Sequence, residues 1–87
     1  MRNASDILNS IEHQFMWLQA EEGCDFQRED AVLYISNGTM QELRRSPDFF
    51  HFYKAEDLYT HYMNDIRLYR VDTAEDIAHV CKKPSTL

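Results

Sequence analysis

A small α+β domain is the fold class this 87-residue sequence predicts. Three observations predict it. Residues 4–22 carry apolar side chains at helical spacing: Ile7, Leu8, Ile11, Phe15 and Leu18. Residues 31–36, Ala31-Val32-Leu33-Tyr34-Ile35-Ser36, form a nearly unbroken β-branched and aromatic run, the pattern of a central strand covered on at least part of both faces. Residues 66–71 alternate, with Ile66, Leu68 and Arg70 on one face and Arg67, Tyr69 and Val71 on the other. The expected architecture is a three-stranded, mostly antiparallel sheet packed with three to four helices, in the order αββα(α)βα. It fills one domain over residues 1–83, and 84–87 form a frayed tail.

The elements follow in order. Asn3 caps the first helix, Asp6 supplies a carboxylate to its first turn, and Gly23 ends it. Residues 24–28 and 31–36 then read as a hairpin turning at Glu29-Asp30. Asn37-Gly38 marks a turn, and Thr39-Met40-Gln41-Glu42 reads as a capping box opening a short helix that stops before Pro47. The segment Phe49-Phe50-His51-Phe52-Tyr53 suits a helical turn or a strand equally, because periodicity does not decide so short a run. Ala55, Leu58, Tyr59, Tyr62 and Ile66 predict a helix at about 55–64. Asp72-Thr73-Ala74-Glu75 predicts the cap of a last helix, with Ala74, Ile77, Ala78 and Cys81 inward and Pro84 beyond its end. The link between the strands at 31–36 and 66–71 is long enough for a crossover, so a parallel pairing of these two is the alternative to an antiparallel one.

Composition removes several functions. Hydrophobic residues are 44% and aromatics 13%, spread along the chain, so this is not a disordered segment. No apolar run is long enough to span a bilayer, and the first residues lack the apolar core of a secretory signal. A cytoplasmic protein is expected, with Cys24 and Cys81 as reduced core residues. The net charge of −6 disfavours direct nucleic-acid binding, which needs a basic face. Two glycines cannot build a phosphate-cradling loop, and no Walker, GxGxxG, GxSxG or HExxH motif is present. No cofactor and no catalysis are expected.

What remains points to protein binding. On the first helix Met16 and Trp17, with His13, fall opposite the apolar stripe, and Trp is the residue type most favoured as an interface anchor. Glu21, Glu22, Asp25, Glu29 and Asp30 form the densest acidic stretch, suited to steering a basic partner. Phe50 and Tyr53 belong to an aromatic run that cannot point wholly inward. The expectation is a small acidic inhibitor that occludes a basic surface on a partner such as a nuclease or another nucleic-acid-handling enzyme. By charge and size this is the manner of immunity proteins, antitoxins and phage anti-defence proteins. Two alternatives stand beside it. The same helix face could make a homodimer or larger homo-oligomer. His51, Asp57 and His61 could form a metal site or an acid–base site, since Asp57 and His61 share a helix face if that segment is helical.

Overall fold

The structure is a computed structural model that describes residues 3–84. Of the expected tail at 84–87 only Pro84 falls among the described residues, and the first two residues also lie outside them.

Helix α1 spans Ala4–Glu22. The Asn3 Oδ1 accepts the Asp6 N–H at 2.9 Å, and the Gly23 N–H donates to Gln19 O at 2.9 Å. Gly23 has φ of +105°, a conformation that strains any residue with a Cβ, which is why glycine ends this helix. Ile7, Ile11 and Phe15 are buried along one stripe, each removal from water being worth roughly 1.5–3 kcal/mol.

The next segment departs from expectation. Residues 24–28 do not form a strand. The Phe26 N–H donates to Gly23 O, and Gln27 and Asp30 brace a single 3₁₀ turn at Arg28–Asp30, the Gln27 N–H donating to Asp30 Oδ2 at 2.9 Å. One buried residue, Phe26 against Phe15, anchors the segment. Arg28 grips the Glu12 carboxylate with both terminal nitrogens at 2.8 Å and lies over the Phe15 ring. A side-chain clamp onto α1 thus replaces the ladder a hairpin would have needed.

Strand β1 is Ala31–Ser36 and runs directly into helix α2, Asn37–Arg44. Ser36, not Thr39, is the N-cap residue. Ser36 and Thr39 are both buried, with their hydroxyl oxygens 2.8 Å apart, and Ser36 Oγ accepts the Ile77 N–H at 3.0 Å. A one-turn helix α3, Phe49–Phe52, leads into β2, Tyr53–Ala55.

The expected helix at 55–64 is a hairpin. β2 pairs antiparallel with β3, His61–Met63, which pairs antiparallel with β4, Ile66–Val71. Two local causes defeat the helix. The Asp57 carboxylate takes the Tyr59 and Thr60 N–H groups, which helix formation would require elsewhere. Asn64 and Asp65 adopt positive φ, the two-residue turn that matches strand twist.

The expected last helix is also a strand, β5, Ala78–Lys82. Ala78 and Val80 point inward at a period of two, and Thr73 Oγ1 captures the Glu75 N–H at 3.3 Å. β1 is central and needs hydrogen-bond partners on both edges. It finds β4 in parallel on one side and β5 antiparallel on the other. The described residues therefore form an α+β domain, with three helices and a five-stranded mixed sheet in the order β2-β3-β4-β1-β5, rather than three mostly antiparallel strands.

All three helices pack on one face of this sheet. Ile7, Ile11 and Phe15 of α1, Met40 and Leu43 of α2 and Phe49 of α3 share a core with Leu33, Ile35, Met63, Ile66, Leu68, Ala78 and Val80. Gln14 of α1 locks the β5 edge: its amide donates to Ala78 O at 2.8 Å and accepts the Val80 N–H at 2.9 Å. A side-chain amide thus fills the open ladder positions of an edge strand.

Candidate functional site

The outer stripe of α1 carries the first group of candidate residues. With Phe15 facing the core, a rotation of 100° per residue puts Met16 and Trp17 around the far side of the helix, near His13. Met16 is 60% exposed and Trp17 72% exposed, and His13 is exposed beside them. These three residues are brought together on one convex surface.

The acids lie at the C-terminal end of the same helix and just beyond it. Glu21 and Glu22 occupy the last turn, which holds no basic residue. That is the wrong end of a helix for a carboxylate, costing about 0.3–1 kcal/mol for each. Glu22 recovers part of this through Lys82 of β5, 3.2 Å away. Asp30 serves the 3₁₀ turn by accepting the Gln27 N–H. Glu22, Asp25 and Asp30 rim an open cleft with Lys82 and Lys83. Glu21, Asp25 and Glu29 are exposed and form no ion pair with any described residue. The acidic stretch thus divides into carboxylates used by the fold and carboxylates left to solvent.

Phe50 and Tyr53 sit apart from this stripe, on α3 and β2. Phe49 is buried and stacks on Tyr53 with ring centroids 4.8 Å apart, while Phe50 is 80% exposed and meets Phe49 edge-on. Tyr53 is half-buried. The structure gives it an internal partner, since its hydroxyl bonds to His61 Nδ1.

His51, Asp57 and His61 are not assembled into a metal site. Asp57 closes the β2–β3 turn, where the Tyr59 N–H and the Thr60 hydroxyl hold its carboxyl below the usual carboxylate range. His51 is exposed on α3. Both His61 ring nitrogens are engaged: Nε2–H donates to Leu58 O at 3.0 Å, which leaves Nδ1 as the acceptor of the Tyr53 hydroxyl in the neutral ring. No group of three or more His, Cys, Asp or Glu side chains among the described residues is placed to hold a metal ion. The helical spacing that suggested the cluster vanished with the helix.

The cysteines are both unbonded. Cys24 is exposed in the turn after α1, so it is not the core residue its pattern suggested. Cys81 is half-buried on β5, where burial pushes its thiol above the ordinary value.

Two features escaped the sequence reading. The sheet face away from the helices carries no helix among the described residues. On it Tyr34 and Tyr69 lie side by side at 5.8 Å, Arg67 covers Tyr69, and Val32 is buried between Arg67 and Cys81 in register. The second feature is a cleft between α2 and the β2–β3 hairpin that contains arginines and no carboxylate. Alternation on β4 does show Arg70 following Ile66 and Leu68 on the core-facing row. A charge at the end of an apolar row was the available signal. Compared with known proteins, the chain matches no family model, no curated protein and no solved structure.

Proposed function

We propose that this chain is a non-catalytic protein-binding domain that holds a basic protein partner through the outer stripe of α1. The observation that carries the reading is the 72% exposure of Trp17 beside a 60% exposed Met16. A large aromatic left in water at the middle of a convex surface is the usual anchor of a protein interface. The uncommitted carboxylates Glu21, Asp25 and Glu29 follow that stripe along the chain and supply steering toward positive charge. His13, Met16 and Trp17 form the centre of the contact, and the acids form its rim. Phe50 is left exposed to serve an extended partner.

The finer reading is an inhibitor. A nuclease or other nucleic-acid-handling enzyme presents a basic surface, and an acidic domain seated on it blocks substrate access. Action in the cytoplasm belongs to the same proposal, and the unbonded cysteines accord with it. Among the described residues no helix is long and apolar enough to cross a membrane.

The test is affinity capture from lysate of the protein's own source, using wild type and Trp17→Ala side by side with added nuclease. The expected result is one stoichiometric basic protein, retained after nuclease treatment and lost with the variant. Equal capture by both chains would refute the α1 stripe as the contact. Sedimentation equilibrium of the purified chain separates the homodimer alternative. A monomer at all concentrations excludes it, whereas a dimer abolished by Trp17→Ala would replace the basic partner with a second copy.

A further inference from the structure

The cleft between α2 and the β2–β3 hairpin encloses about 270 Å³, close to the lower end of small-molecule sites, roughly 300 Å³. Its floor is core: Met40 and Leu68 are both buried. Its charged groups are Arg44 and Arg70, which extend two apolar rows. Arg44 lies one helical turn beyond Met40, and Arg70 lies two strand positions beyond Leu68. Among the described residues neither guanidinium takes part in an ion pair. No carboxylate lines the cleft, although the chain as a whole carries −6. Three other clefts in the molecule each include at least one acidic side chain.

The outer wall is unusual. Leu58 is 79% exposed and Tyr59 is 81% exposed, yet the loop that carries them is tied on three sides. Asp57 binds the Tyr59 and Thr60 N–H groups, Arg67 donates to Tyr59 O at 3.2 Å, and His61 Nε2–H donates to Leu58 O. His61 in turn accepts from Tyr53, whose ring rests on Phe49 of the core. Arg44 is steadied over the same Phe49 ring, 5.8 Å from its centroid. Two apolar side chains are thus held at the mouth of a cleft and left largely uncovered by the described residues.

We propose that this cleft binds a small organic anion, a carboxylate or phosphate ester bearing an apolar group. Arg44 and Arg70 take the anionic end, because guanidinium forks match the oxygens of either group. Leu58 and Tyr59 cover the apolar end over the Met40 and Leu68 floor. The inference is independent of the partner surface on α1, which contributes no residue to the cleft.

The test is an NMR titration of the full chain with phenyl phosphate, with benzoate, inorganic phosphate and benzyl alcohol run in parallel. Saturable shifts are expected at Arg44, Leu58, Tyr59 and Arg70 with phenyl phosphate or benzoate. Whichever of these two binds tighter identifies the anion as phosphate ester or carboxylate. Arg70→Gln and Arg44→Gln should each weaken binding about tenfold or more, the loss expected for a hydrogen-bonded charge. Leu58→Ser should weaken the organic anions and leave inorganic phosphate unchanged. Both arginines and Leu58 are exposed, so the variants spare the core, and their amide spectra verify the fold. Absence of saturable shifts at the cleft, or binding indifferent to both arginine variants, overturns the site. Inorganic phosphate or benzyl alcohol binding as tightly as phenyl phosphate overturns the ligand class.

Discussion

On α1, Met16 and Trp17 project from a convex helix, and the exposed acids Glu21, Asp25 and Glu29 follow at its end and in the segment beyond it. Between α2 and the β2–β3 hairpin, Arg44 and Arg70 line a concave cleft floored by Met40 and Leu68. The first surface is held by α1 alone, since its apolar side chains are mostly exposed. The second is built from the core outward, through Phe49, Tyr53 and His61. A net charge of −6 describes the first region and misdescribes the second. Overall charge governs solubility and long-range steering, whereas a binding cleft responds to the few charges that line it.

Two of the four methionines offer the largest contrast. Met40 is 1% exposed and Met16 is 60% exposed. Met40→Ala should cost about 2–5 kcal/mol in urea unfolding. Met16→Ala should stay within about 0.5 kcal/mol of wild type. Comparable losses at both positions would mean that the α1 stripe is covered in solution, and the contrast would collapse.

Next in size is Trp17→Ala. It should weaken the partner complex by about 2 kcal/mol or more by calorimetry while leaving the thermal midpoint nearly unchanged. A large fall in the midpoint would make Trp17 a structural residue.

Gln14 probes the platform beneath the stripe. Gln14→Ala removes the two bonds to the β5 backbone and leaves the Val80 N–H without its partner. A loss of about 1–3 kcal/mol is expected, with faster amide exchange at Val80. Unchanged exchange there would show that β5 is held by β1 alone.

A smaller effect concerns rate. Glu21→Lys with Glu29→Lys should slow association with a basic partner and flatten its dependence on salt, with dissociation little altered. Stopped-flow kinetics at two ionic strengths reads this directly. An unchanged rate would make these acids merely solubilising.

The smallest effect is a pH step at the cleft wall. The Tyr59 N–H and the Thr60 hydroxyl depress the Asp57 carboxyl in the folded state. Its contribution to holding the turn is therefore complete above the ordinary carboxylate range. It is lost as pH falls through the depressed value. The Tyr59 and Thr60 amide resonances should move in that acidic window, and Asp57→Asn should abolish the step. Movement at the ordinary carboxylate value instead would show that the clasp is open in solution.

The outcome for the two regions also separates what could be read from the chain. Helix α1 and its Asn3 and Gly23 ends were legible, because nineteen residues at one period leave little ambiguity, whereas the spacing put Trp17 opposite the stripe and only the structure shows it uncovered. The cleft was not legible. Its hairpin lay hidden in residues 55–64, where Ala55, Leu58, Tyr59 and Tyr62 imitate a helical stripe. The imitation fails because Asp57 captures two backbone N–H groups and Asn64-Asp65 makes a tight turn, both local effects that apolar spacing does not register.

By itself the sequence determined the α+β class, the long helix with its buried Ile7, Ile11 and Phe15, and the strands at 31–36 and 66–71. Each rests on side-chain periodicity, which is a property of contiguous residues. Only the tertiary structure decided that β1 and β4 run parallel, that residues 78–82 are a strand, and that Arg44 and Arg70 face one cleft. Those outcomes depend on hydrogen bonds between distant segments. β1 is buried on both faces and must satisfy backbone groups along both edges, so it draws β5 out of a helical preference that short-range spacing had left open.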